Sequence, residues 1–159
     1  MTTTTREPAS TVHPGHRDDV SEQLQATLVD LIALALTTKQ LHWNLTGPRF
    51  IGLHRQLDDI VDIARSYADT VAEVAATLGA PPSGQAHVVA AASTLSPVRG
   101  GWVSDDDALN LVAERLSAVA GGARARAAAL GELDPVSESV LVDLIGELEK
   151  QVWMLDASR

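Results

Sequence analysis

The strongest constraint on this chain is a helical apolar period that recurs in four long stretches, each broken by glycine or proline. Leu24, Leu28, Leu31, Ile32 and Ala35 recur at three and four residues and predict a helix over residues 19–46. Asp19 and Glu22, at capping-box spacing, are its expected start. Gly47-Pro48 stops one helix and starts the next, because glycine accepts the left-handed terminal conformation and proline suits a first helical position. The second helix runs to about residue 78 and closes at Gly79 and Pro81-Pro82. Ser104 with Asp107 caps a third, whose stripe Leu109, Val112, Leu116, Val119 and Ala120 continues to Gly131. Asp134-Pro135 opens the fourth, where Val140, Leu141, Leu144, Ile145, Leu148, Val152 and Leu155 repeat at helical spacing. No stretch alternates with period two for long enough to build a sheet.

The joints are unequal. Residues 83–103 mix Ser, Gly and Pro around a short Ala/Val run at 88–92, so they read as a long connection holding a brief helix. Two tight corners and one long middle crossover predict an all-α fold, a four-helix bundle of the ferritin-like variant. There is no internal repeat. Residues 1–18, rich in Thr, Pro and His without an apolar period, read as a flexible tail, which leaves 19–159 as the bundle. The length of 159 residues suits one domain. With 0 Cys, disulfides, thiolate metal sites and cysteine nucleophiles are excluded together. Twelve Lys+Arg against 21 Asp+Glu give a net charge of -9 and a pI near 4.8, which opposes a free-standing nucleic-acid binder and favours cations as partners. No apolar run resembles a secretory signal or a membrane span, so a cytoplasmic protein without membrane contact is expected.

The second helix carries more than a bland charged face. His54 and Asp58 stand at i, i+4, as do Asp69 and Glu73, and each pair shares a face. Asp58 and Asp69 are eleven residues apart, which at about 100° per residue returns to nearly the same azimuth. Their separation along the axis is roughly 16 Å, whereas oxygen and nitrogen ligands sit about 2.0–2.2 Å from a zinc-like ion. One helix therefore cannot wrap both pairs around one ion. Two copies packed antiparallel about a two-fold axis can, and the symmetry makes two equivalent sites. His42 lies about one turn before the Gly47-Pro48 corner and His54 somewhat more than one turn after it, so antiparallel neighbours hold them at similar height. The candidate site is His42, His54 and Asp58 from one subunit with Asp69 and Glu73 from its mate. Two imidazoles and three carboxylates without sulfur suit Fe(II), Mn(II) or Zn(II), and ligand type does not choose among them. Taken singly, each of these residues reads as solvated surface rather than ligand, and it is the joint arrangement that points to metal.

The same residues carry a resemblance. Residues 39–84, KQLHWNLTGPRFIGLHRQLDDIVDIARSYADTVAEVAATLGAPPSG, resemble the central signature of the Dps family of ferritin-like mini-ferritins, and the ending LEKQVWMLDA looks like that family's last helix. His42, His54, Asp58, Asp69 and Glu73 match in type the five positions that bind iron at the family's ferroxidase centre. The resemblance implies a homododecameric cage with intersubunit centres that oxidise Fe(II), preferably with hydrogen peroxide rather than oxygen, and store Fe(III) mineral. It also implies a cytoplasmic, nucleoid-associated protein that protects against oxidative damage. It suggests Trp43 as a trap for stray oxidising equivalents, the alternative being a core or interface anchor. Negatively lined pores would draw on Asp134, Glu138 and Asp143, unless Asp134 simply caps its helix.

Other features separate from that pattern. Residues 1–20 set Arg6 and Arg17 against Glu7, Asp18 and Asp19, and after Trp153 only Arg159 opposes Asp156, so the basic tails with which family members coat DNA are missing. A structural protein that coats DNA, with metal secondary, is the competing reading. An intrabundle di-iron oxygenase wants Glu-x-x-His motifs, and the sequence has none. Val74 stands where the signature usually has Arg. His13 and His16 form a His-x-x-His pair in the tail, and His87 has no evident mate. Trp102 and Trp153 are assigned to packing, and Asp105, Asp106 and Asp107 to first-turn charge complementing the helix dipole.

Overall fold

The computed structural model describes residues 10–159. Four long helices, α1 (Arg17–Asn44), α2 (Phe50–Thr77), α4 (Asp105–Leu130) and α5 (Pro135–Asp156), form the bundle, and the short α3 (Ala86–Ala92) lies in the crossover against α1. The helices pair chiefly as α1 with α2 and α4 with α5, and α1–α4 and α2–α5 contacts close the square. The apolar stripes meet in one core, with Leu24, Leu31 and Leu34 of α1, Leu57 and Ile60 of α2, Leu116 of α4, and Leu141, Leu144 and Leu148 of α5 fully buried. No helix among the described residues is long and apolar enough to cross a membrane.

The ends of the elements depart from the sequence reading in ways with local causes. Helix α1 begins at Arg17, with Asp18 and Asp19 inside its first turn rather than at its cap. Val12 is buried in the core and His13 to His16 make a tight turn in front of α1. The bundle therefore enlists residues 10–18, and only residues 1–9 of the expected tail lie outside the described residues. At the other end α1 stops at Asn44, because β1 (Leu45–Thr46) leaves to pair in parallel with β2 (Val103–Ser104). A ladder of two residues per strand is too short to mark the sequence with alternation.

The corner after β1 is held from a distance. Gly47 takes φ 130°, and a Cβ there would stand 2.5 Å from Cγ of Asp105. Only glycine allows that approach. The Asp105 carboxylate accepts the Arg49 backbone N–H at 2.8 Å and its Nε at 3.2 Å, while Asp106 takes the end of the guanidinium. The acidic run thus bolts the start of α4 onto the start of α2, more than complementing a dipole, and α2 begins at Phe50 rather than at Pro48. The expected stop at Gly79 does occur: Ala80 N–H donates to Ala75 O and Gly79 N–H to Ala76 O, both at 3.0 Å, with Gly79 at φ 84°. Ser104 and Asp134 cap α4 and α5 as read.

Two arginines, Arg115 buried and Arg126 partly so, fix the crossover. Arg126 of α4 pairs with the buried Asp30 of α1 at 2.6 Å, and the other Asp30 oxygen accepts the Thr94 hydroxyl at 2.9 Å. Arg115 of α4 donates to Ser96 O at 2.9 Å. Removing one member of a buried pair strands the other charge. Asp30→Ala is therefore expected to cost about 3–5 kcal/mol of stability in urea unfolding at fixed protein concentration. Replacing Asp30 and Arg126 together by Leu should recover most of that loss, and equal losses in both variants would show that the pair is not what is being measured.

Candidate metal centre

Three of the five candidate ligands converge within one chain. His42 near the end of α1, and His54 and Asp58 near the start of α2, offer ligand atoms that all lie within 4.8 Å of one another. Donors on opposite sides of an ion with bonds of about 2.1 Å are about 4.2 Å apart, so small side-chain adjustments close the set. Asp69 and Glu73 lie further along α2, exposed, and do not join this group.

The helix ends create the geometry. The last carbonyls of a helix lack intrahelical partners, and the His42 carbonyl is one of them; Nδ1 of His54 lies 3.2 Å from it. In return Nδ1 of His42 lies 3.0 Å from the His54 carbonyl. A carbonyl oxygen can only accept, so both Nδ1 atoms carry hydrogen and donate, which leaves both Nε2 lone pairs free in the neutral rings. The two imidazoles stack with centroids 3.6 Å apart, and Phe50 stacks on the outer side of His54 at 4.8 Å. Backbone acceptors and stacking together fix the ring planes, as the outer hydrogen bonds of metal-binding histidines do.

The electrostatics are set by burial and one lysine. Burial pushes the His42 imidazole below its usual pKa, outweighing the His54 carbonyl and Asp58, which act upward. The ring is therefore neutral and able to donate a lone pair at neutral pH. The Lys39 ammonium, hydrogen-bonded to Oδ1 of Asp58, holds that carboxyl below the ordinary carboxylate range. Oδ1 also lies 3.4 Å from Nδ1 of His42. Two imidazole nitrogens and one carboxylate oxygen form a donor set suited to Fe(II) among other divalent ions.

Lys39 and Phe50 were missed in the sequence. Lys39 stands three residues before His42, on the same face of α1, and that spacing was the available signal. Several other expectations are corrected. Trp102 is 80% exposed and Trp153 67%, so neither packs into the bundle of one chain, and Trp43 beside His42 is 64% exposed rather than a core anchor. Asp134 is buried as the α5 cap, accepting from Ser137 N–H at 3.0 Å, and does not face outward as a pore residue would. Glu138 is half-buried and Asp143 exposed. Nδ1 of His13 accepts the Gly15 N–H at 3.2 Å, which engages one nitrogen of the His13/His16 pair in a local turn. His87 is exposed.

Comparison with known proteins agrees with this architecture. Residues 21–158 match the Ferritin family, described as a ferritin-like domain. The DNA protection during starvation protein of Mycolicibacterium smegmatis is 39% identical over 142 residues, covering 87% of this chain and 76% of that protein. The fine tangled pili major subunit of Haemophilus ducreyi is 37% identical over 150 residues, covering 94% of this chain and 78% of the other. Among solved structures, the tetragonal form of Mycobacterium smegmatis Dps matches with a TM-score of 0.90 at 33% identity, covering 98% of this chain and 94% of that one.

The stacking of Phe50 on His54 has a measurable consequence. Phe50→Ala should weaken Zn(II) binding by about tenfold, the lower end of what lost support around a metal ligand costs. Trp102→Ala, which removes an exposed side chain of the crossover, should leave it near the parent value. Chelator-competition titrations of the three proteins decide the point, and an unchanged affinity in Phe50→Ala would mean that the backbone carbonyls alone hold the ring.

Proposed function

Because the chain belongs to the Dps family of ferritin-like proteins, we propose that it oxidises Fe(II), preferably with hydrogen peroxide, and stores the Fe(III) product inside a dodecameric cage. The observation that carries this reading is the convergence of His42, His54 and Asp58 on one chain, with Asp69 and Glu73 exposed further along the same helix. The reading assigns all five as ligands, the last two reaching the centre of a second copy, where they complete a set of two imidazoles and three carboxylates.

The surface around the centre supports a second copy there. Leu36 and Trp43 stand seven residues apart on α1 and are both exposed, as is Ile51 at the start of α2. Large apolar side chains grouped at helical spacing are the usual material of an interface. The face that carries His42 would then be covered in the assembly.

The chemistry follows from the ligands. Two ferrous ions each give one electron to one peroxide, so that 2 Fe(II) + H2O2 + 2 H+ yields 2 Fe(III) + 2 H2O. Delivering both electrons together avoids the one-electron cleavage that releases hydroxyl radical. Carboxylate oxygens favour the more highly charged ferric product, and neutral imidazoles moderate affinity so that the product moves on to the mineral. The cytoplasm is the setting where such a reaction spares DNA, and protection would come from removing Fe(II) and peroxide. Coating DNA is the weaker reading, since the tail sequence has no excess of Lys and Arg to neutralise phosphates.

Asp58→Ala and Glu73→Ala particles should lose rapid peroxide-dependent iron oxidation, followed as ferric absorbance, while the parent consumes about one peroxide per two irons as the equation requires. Variants that oxidise iron as fast as the parent would remove these residues from the centre. Refolding His54→Ala and Glu73→Ala subunits together should restore part of the activity, because some interfaces then carry both intact halves. No recovery despite verified co-assembly would place the whole site within one chain.

A further inference from the structure

Among the described residues, Lys39 is the cation paired with a ligand of the candidate centre. Its side chain is about three-quarters buried, and its ammonium is bonded to Oδ1 of Asp58, the only carboxylate among the three converging ligands. An ammonium has no lone pair and cannot itself be a ligand. It occupies, as a single charge, the side of Asp58 where an incoming dication needs to place a double one.

We propose that Lys39 is an affinity-setting residue: it neutralises Asp58 in the metal-free centre and must yield the carboxylate when a divalent ion binds. This inference rests on the reading of the site as an iron centre. Binding exchanges one ion pair for another, Asp58 with Lys39 for Asp58 with the metal, and no proton is transferred. The flexible four-carbon stem lets the ammonium swing to solvent. Its return on departure of the ion restores the pair with the half-exposed Asp58 carboxylate beside the buried His42. The centre is thereby kept from holding its cation too tightly, which a site that passes iron onward requires.

The test uses Co(II), whose visible spectrum reports binding without oxidation, titrated into the assembled parent and into Lys39→Met, Lys39→Gln, Lys39→Arg and His54→Ala particles. Circular dichroism and particle mass establish that each is folded and assembled. The uncharged Lys39→Met and Lys39→Gln should bind Co(II) about tenfold more tightly than the parent, as expected for removing a like charge at close range in a partly solvated site. Lys39→Arg, which keeps the charge, should stay near the parent. Added salt should narrow the gap between Lys39→Met and the parent. If both uncharged variants bind no more tightly while His54→Ala still binds poorly, the role of Lys39 is overturned and the metal centre stands. Lys39→Arg binding as tightly as Lys39→Met would overturn it equally, by removing charge as the cause. If His54→Ala binds Co(II) like the parent, the metal-centre reading falls, and the proposal with it.

Discussion

The centre depends on α1 and α2 lying close enough for His42 and His54 to bond each other's backbone carbonyls. That reciprocity is possible only just beside a tight corner, where one helix is ending with carbonyls to spare and the next has barely begun. The corner in turn depends on Gly47, which admits the Asp105 side chain to the Arg49 N–H. A contact between α4 and the α1–α2 corner therefore governs how two imidazoles present their lone pairs. The tautomers are set by the backbone carbonyls, and the ring planes by those carbonyls together with stacking, before any metal arrives.

A bundle of this kind could be held by apolar packing alone, yet it buries Arg115 and partly buries Arg126. Arg126 meets Asp30 and Arg115 meets the Ser96 carbonyl. Buried pairs of this sort add little net stability compared with well-packed apolar side chains. What they do is favour this course of the crossover, because another course would forfeit the Ser96 carbonyl to Arg115 and the Thr94 hydroxyl to Asp30. The crossover decides that α4 returns to the end of the bundle where the corner is, and β1–β2 pairing records the same arrangement in the backbone. The polar interior and the corner clamp act on one problem, bringing Asp105 to Arg49.

How much of this was legible follows from how local each signal is. The four helices, the short helix in the crossover and the Ser104 and Asp134 caps were readable because apolar period and capping act within a few residues. The start of α1 was misread at Asp19, since burial of Val12 and the turn before Arg17 compete with a capping box that the chain does not use. The β1–β2 pair and the Arg49–Asp105 bond join residues more than fifty positions apart and leave no mark on either segment alone. At the centre, His42, His54 and Asp58 were legible from the two arms of one corner. Lys39 was not, because a lysine on a helix looks like solvated surface until its partner nineteen residues on is placed. The exposure of Trp43, Trp102 and Trp153 was also hidden, as a tryptophan suits an interior and an intermolecular contact equally.

The charge at the centre ties the proposed chemistry to the proposed assembly. Within one chain, Asp58 and Lys39 cancel and His42 is neutral, so the group offers a dication geometry without net attraction. If a second copy brings Asp69 and Glu73 to the same place, the surroundings gain two negative charges, and their field acts where part of the solvent has been displaced and screening is weaker. Strong iron binding then begins with assembly. A lone subunit, which has no interior in which to deposit ferric product, would hold little iron and oxidise little. Ligands split in this way between two copies of α2 would couple the proposed oxidation to the presence of a place to put the product, and a Lys39 that keeps the half-site neutral would sharpen that coupling.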